Sequence, residues 1–251
     1  MQLTDAFFPL FVAHLIGDFI LQTEQMALKK GSHWRWLVRH ATELGVITLI
    51  CCWTLKVWPV AIVVFLTHVI FDWIKPRLPG SPLRWYLADQ AAHVVILLFC
   101  ARWIRDESGM LQMPLAPYVP LPVQAIIAAY IVVARPLTVT IGLFLKPWRD
   151  EVLKVNGNGP ANDSITGLTR SGEWVGNFER FLVLTCVLVG QYSLIGAILV
   201  TKAIMRFGDI SRSQQRRRAD YAIIGTLASV GLAVAVGLLT LQVNGTASLL
   251  R

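Results

Sequence analysis

Long apolar runs, separated by short basic, polar or proline-rich stretches, dominate the chain. They cover about residues 4–22, 36–56, 59–74, 85–103, 123–145, 178–200 and 219–243. Most come close to the roughly 20 residues that a helix needs to cross a hydrocarbon core. The pattern predicts an all-α, polytopic membrane helix bundle of about six to seven transmembrane segments. A tight turn is expected at Lys56-Val57-Trp58-Pro59, and a Pro/Gly-rich turn from Lys75-Pro76-Arg77 to Arg84. Prolines 114, 117, 120 and 122 precede the fifth run, and Pro136 inside it should kink the helix. One long polar loop is expected over 146–176, flexible at Asn156-Gly157-Asn158-Gly159-Pro160. No internal repeat is visible. One integrated membrane domain is expected, with 1–104 as a four-helix half and 105–251 as a C-terminal half. The second half holds a cytoplasmic loop at 146–176, a hairpin and a last span.

Composition agrees with this layout. Of 251 residues, 55% are hydrophobic and only 15% charged, with a mean hydropathy of +0.57. The formal charge of +8 sits mostly in the connecting stretches, as topogenic lysine and arginine do. No nucleic-acid motif accompanies it, so the expected partner is membrane lipid rather than nucleic acid. Cys51, Cys52, Cys100 and Cys186 all lie in apolar runs without CxxC spacing and read as small buried hydrophobes. No secretory signal is apparent.

Charge orients the bundle. The connections between runs one and two, three and four, and five and six are basic, which places them in the cytoplasm and the N-terminus outside. The most basic stretch, Lys202 to Arg218, should also be inside, yet a single sixth span would put it outside. Residues 178–207 therefore form either a re-entrant helical hairpin turning at Gly190-Gln191-Tyr192-Ser193 or one long span that breaks the charge rule. A turn at membrane depth would need protein around it.

Within the apolar runs stand ionisable residues at helical spacing. His14 and Asp18, His68 and Asp72, and Asp89 and His93 are each four apart, and four residues of helix return to one face. His40 opens the second run. With the orientation set by lysine and arginine alone, all seven fall near the cytoplasmic interface. A charged group at a membrane helix centre costs roughly 2.5–3.5 kcal/mol. A divalent cation would compensate several at once, and bundle helices build metal sites with this geometry. The expected ligands are His14, Asp18, His40, His68, Asp72, Asp89 and His93. One or two ions fit such a set, zinc foremost, with manganese, iron or magnesium as alternatives. Hydrogen-bonded pairs that merely stabilise the bundle, or a proton relay, would use the same residues. Gln22, Glu43, Thr67 and Gln90 could back the ligands. Lys75 ends the third run, where a lysine can snorkel. Arg135 lies near the middle of the fifth run and needs a carboxylate, a carbonyl or a bound anion.

The stretches His14-Leu-Ile-Gly-Asp18-Phe-Ile-Leu-Gln22, His40, His68-Val-Ile-Phe-Asp72-Trp-Ile-Lys75 and Asp89-Gln90-Ala-Ala-His93 resemble a bacterial membrane family. That family is catalogued only as domain of unknown function 3307. Gly176-Asn-Phe-Glu179-Arg180-Phe-Leu, Lys202-Ala-Ile-Met-Arg206-Phe and Asp220-Tyr221 through Ser229 look like its second block. The family more often has Glu-Tyr at the position of Asp220-Tyr221. The resemblance implies an integral membrane location, with no activity attached. It marks Glu179, Arg180, Lys202 and Arg206 as more than topogenic charge, with Glu179 either neutralising Arg206 or adding a ligand.

The expected function is a metal-dependent hydrolase of the bacterial inner membrane acting near the cytoplasmic face. Asp18, Asp72, Asp89 or Glu43 would serve as general base. Arg180 and Arg206, with Lys202 and Arg135, would hold an anionic lipid substrate such as a phosphate ester. Two alternatives use the same residues: a cation or proton transporter or ion sensor, and a structural or regulatory protein without turnover.

Overall fold

The structure is a computed structural model and describes residues 3–52, 57–106, 119–155, 163–207 and 213–245. The described residues are helical, with no strand among them. Lys56, prolines 114 and 117, Asn156 to Pro160, Arg212 and the side chain of Arg206 lie outside the description. The helices form two compact units, Met1–Ile131 and Val132–Arg251.

In the first unit, α1 (Leu3–Leu15) runs into a π-helical turn (Ile16–Leu21). A short α2 (Glu24–Lys29) and then α3 (Trp34–Cys52) follow. Next come α4 (Trp58–Ile74), one 3-10 turn (Lys75–Arg77) and α5 (Pro82–Asp106). Helix α1 packs against α3 and α5, and α3 packs against α4. Their shared core includes Ala6, Leu10, Leu44, Val60, Val64, Leu97 and Ile104. Leu66, Ile70, Val95 and Phe99 point outward from α4 and α5, as lipid-facing residues do. Lipid is as apolar as these side chains, so helices associate here through close packing and polar contacts. At Gly17 the close packing is extreme: a Cβ there would stand 2.7 Å from Leu44 Cδ2. The turn that carries Asp18 is thus pressed onto α3.

Helix α6 (Leu121–Ala134) ends where α7 (Pro136–Val155) begins. The kink expected at Pro136 is a break at Arg135, because proline restricts the residue before it and suits the first position of a new helix. In the second unit, α8 (Asp163–Leu188) packs against α10 (Ser213–Val243), α7 also meets α10, and α9 (Tyr192–Phe207) folds back on α8. The long loop expected over 146–176 is largely helix, since α7 continues to Val155 and α8 starts at Asp163. Lys146 to Arg149 and Gly172 to Val175 are exposed on these helices, and Lys146 and Asp150, four apart and 2.6 Å from each other, pair along α7.

Residues 178–207 form a helical hairpin rather than one span. Gly190 has φ +72°, its N–H donates to Val187 O at 3.1 Å, and Gln191 N–H donates to Cys186 O at 2.8 Å. These two bonds close the end of α8 in the Schellman manner, with glycine in the left-handed position. Gly190→Ala should cost about 1–2 kcal/mol, read as a lower midpoint of thermal unfolding in detergent. An unchanged midpoint would mean that the turn does not hold this shape.

Among the described residues, five stretches are long and apolar enough to cross a membrane: Leu3–Leu21, Trp58–Arg77, Pro82–Arg105, Leu121–Asp150 and Asp220–Val243. The chain is a membrane protein on that basis. Helix α3 is not among them, because Arg35, Arg39 and Glu43 occupy its first turns. The hairpin contributes only the shorter apolar helix Tyr192–Ile204.

Candidate metal centre

All seven candidate ligands meet at one end of the first unit. The end of α1, the start of α3, the end of α4 and the start of α5 converge there. His14, Asp18, His40, His68, Asp72 and His93 are buried, and the Asp89 side chain is 7% exposed.

Three histidines form its centre. Ring nitrogens of His14, His68 and His93 all lie within 4.8 Å of one another. The His68 and His93 rings stack with centroids 4.0 Å apart, and the His14 ring lies 5.0 Å from His93. Hydrogen bonding sets two of the tautomers. His68 Nδ1–H donates to Val64 O at 2.8 Å, four residues back along α4. His14 Nε2–H donates to Gln90 Oε1 at 3.4 Å. The opposite nitrogens, His68 Nε2 and His14 Nδ1, are therefore lone-pair nitrogens, and both are buried without a hydrogen-bond partner. An N–H tied to a carbonyl, with the other ring nitrogen left free, is how metal-binding imidazoles are held. Zinc–imidazole bonds of about 2.0–2.1 Å would set the nitrogens about 3.4 Å apart. The three rings need to close by roughly an ångström to share one ion.

The carboxylates pair across helices rather than within them. In an α-helix Asp18 would return over His14. The π-helical turn holds an extra residue per turn and opens that register. Asp18 Oδ1 instead lies 3.1 Å from His40 Nε2 on α3, and Gln90 Nε2 donates to Oδ2 at 3.0 Å. Gln90 thus links Asp18 to His14. Asp72 faces α2 and α3: its Oδ1 lies 2.9 Å from Lys30 Nζ, and its Oδ2 3.5 Å from His40 Nε2. Only Asp89 keeps its helical partner, with Oδ1 3.5 Å from His93 Nε2, while Lys75 Nζ holds Oδ2 at 2.7 Å.

Residues 6–118 match the family model described as protein of unknown function (DUF3307). This segment belongs to the DUF3307 family. It contains the whole cluster of seven. The DUF3307 match stops short of Gly176 to Ser229, so the second block of resemblance lies beyond it. No curated protein and no solved structure matches the chain.

Lysine is the component that apolar periodicity did not reveal. Lys30 reads as one basic residue in a polar loop. In the structure Thr23 caps α2, its Oγ1 accepting from Met26 N–H at 3.3 Å, and Met26 is fully buried. Lys30, four residues after Met26, shares its inward face. An apolar residue four positions before a lysine was the available signal. Lys75, expected to snorkel, turns in to Asp89. Glu43 pairs with Arg39 at 2.8 Å, one helical turn away on α3.

The anion-binding candidates belong to the second unit. Arg180 is buried and spends its donors on the protein: Val133 O at 2.7 Å, Ser229 Oγ at 3.1 Å, and Thr138 Oγ1 and Asn177 Oδ1 at 2.5 Å each. Glu179 pairs with Lys202, not with a metal ligand. Arg135 is exposed at the helix break.

Proposed function

We propose that the chain is a metal-dependent hydrolase of the inner membrane, with its metal held by His14, His68 and His93. The observation that carries this is the convergence of three buried histidines, with ring nitrogens within 4.8 Å of one another, two of which, His14 and His68, keep a buried nitrogen without a hydrogen-bond partner. Three histidines leave a position open, as catalytic sites require and closed structural sites do not. The ion, zinc before manganese, iron or magnesium, would supply Lewis acidity at neutral pH. Asp89 is the fitting general base: its Oδ1 is buried without a hydrogen-bond partner beside His93, while Lys75 keeps Oδ2 occupied.

The substrate class follows from the surroundings. A cavity of about 240 Å³ lies between α4 and α5, lined by Phe71, Ile74, Trp85 and Ala92, with Lys75 and Asp89 in its wall. One apolar chain beside one ammonium suits an anionic lipid, such as a phosphate ester. Lys29, Arg35, Arg39, Arg77 and Arg84 are exposed around this end of the unit. Arg77 covers the Trp73 ring at 4.2 Å. Basic residues with interfacial tryptophans favour the cytoplasmic face for this end, and so an outside N-terminus.

Elemental analysis of protein purified in mild detergent tests the reading. The wild type should retain about one transition-metal equivalent, and His68→Ala should lose it while remaining monodisperse. With phosphatidic acid vesicles, phosphate release should be seen for the wild type alone and should stop with a chelator. A metal-free wild type would overturn the proposal. A transport or relay reading has one feature in its favour. Asp72, Lys30, His40, Asp18, Gln90 and His14 form a polar chain through the cluster, each within 3.4 Å of the next.

A further inference from the structure

Lys30 occupies a position that has the composition of a cation site. Its Nζ stands 2.9 Å from Asp72 Oδ1, 3.1 Å from His40 Nε2 and 3.8 Å from Asp18 Oδ1. The three residues around it are almost fully enclosed: His40 is 0% exposed, Asp72 6% and Asp18 7%. Two carboxylates and an imidazole facing one point are a hard-to-borderline N/O donor set, such as divalent ions take. Two further observations mark the point as more than a salt bridge. Asp72 Oδ2 is buried without a hydrogen-bond partner. His40 Nε2 is contested as well. It cannot accept from the ammonium of Lys30 and donate to Asp18 at once, so one of its two short contacts is unsatisfied in either tautomer.

The lysine is delivered by an element that can leave without unfolding the bundle. Helix α2 has six residues, and among them only Met26 is buried. Its N-terminus is capped by Thr23 and its C-terminal N–H, from Lys30, bonds back to Met26 O. The capping contacts are local, so withdrawing α2 breaks one apolar anchor, the approach of Lys29 to the Trp36 ring and the contacts of the Lys30 ammonium.

We infer that Asp18, Asp72 and His40 form a second divalent-cation site, beside the three-histidine centre, which the ammonium of Lys30 fills as a tethered competitor. A divalent ion and Lys30 exclude each other there. Release of Lys30 frees α2, so occupancy of the site is coupled to the position of that helix at the membrane surface. This inference does not depend on the three-histidine centre binding metal or on any hydrolysis.

Titration of the full-length protein in detergent micelles with manganese and with zinc, by calorimetry and by bound-metal analysis after gel filtration, tests it. Lys30→Met removes the charge while keeping much of the volume. It should bind one more equivalent than the wild type, or bind it about a hundredfold more tightly, since a cation a few ångströms away is removed. Lys30→Arg retains a cation and should behave as the wild type. Adding Asp72→Asn to Lys30→Met should abolish the gain, and His68→Ala should leave it intact. Should Lys30→Met be poorly folded in metal-free buffer, the second measurement is its thermal midpoint, which manganese should raise far more than that of the wild type. Equal stoichiometry and affinity in wild type and Lys30→Met, with no stabilisation by manganese, would overturn the inference. A wild type that binds no His68-dependent equivalent would overturn the hydrolase reading and leave this one standing.

Discussion

Asp72→Ala should destabilise the protein by about 3–5 kcal/mol, the usual cost of stranding one partner of a buried ion pair. The ammonium of Lys30, its side chain 14% exposed, would lose its contact at 2.9 Å and face only Asp18 at 3.8 Å and His40. Lys30→Met should do comparable harm in metal-free buffer, because Asp18 and Asp72 would share one end of the cluster without a cation. Combining Lys30→Met with Asp72→Ala removes both charges and should recover at least about 2 kcal/mol of the summed loss. Unfolding midpoints in mixed micelles of rising denaturing-detergent fraction, with a chelator present, give the cycle directly. Additive losses would mean that Lys30 and Asp72 do not form the pair described.

The second large effect belongs to the other unit. Arg180 ties together the end of α6 through Val133 O, α7 through Thr138, its own helix through Asn177, and α10 through Ser229. Truncation to alanine leaves a void and takes a donor from Val133 O and Ser229 Oγ, both on buried residues. Each stranded acceptor costs about 1–3 kcal/mol, so Arg180→Ala should lose about 3–5 kcal/mol and fall in yield. Arg180→Lys should rescue little of this. One ammonium cannot reach acceptors spread around a planar guanidinium. Full stability in Arg180→Lys would show that charge alone, rather than the fork of donors, is what this position requires. This role also accounts for the arginine in a resemblance block without assigning it to substrate.

Much of the site was legible in the sequence because ionisable residues stand out against apolar runs. His14, Asp18, His40, His68, Asp72, Asp89 and His93 all reach one cluster, and the charge pattern had already put them in one layer. Their pairing was not legible. Helical spacing suggested three pairs within helices, but only Asp89 and His93 keep theirs. Asp18 and Asp72 turn to α3 and α2, a matter of tertiary packing and of one irregular turn. Lys30 and Lys75 were hidden for a simpler reason: a lysine beside a membrane helix looks topogenic whether it faces water or a carboxylate. The hairpin at Gly190 was readable from the clash between charge and span number. The helical course of Asp163 to Gly176 was not, since a polar helix and a polar loop share a composition.

The irregular turn at Ile16–Leu21 has a consequence for how this site is encoded. Relative to an α-helix, the turn accommodates an inserted residue, with Gly17 wedged against Leu44. The interval between His14 and Asp18 therefore measures chain length across an insertion, not one helical repeat. A relative lacking one residue there could keep every ligand type and still aim its aspartate elsewhere. In this part of the chain, gap position in an alignment would carry as much information about the site as residue identity does.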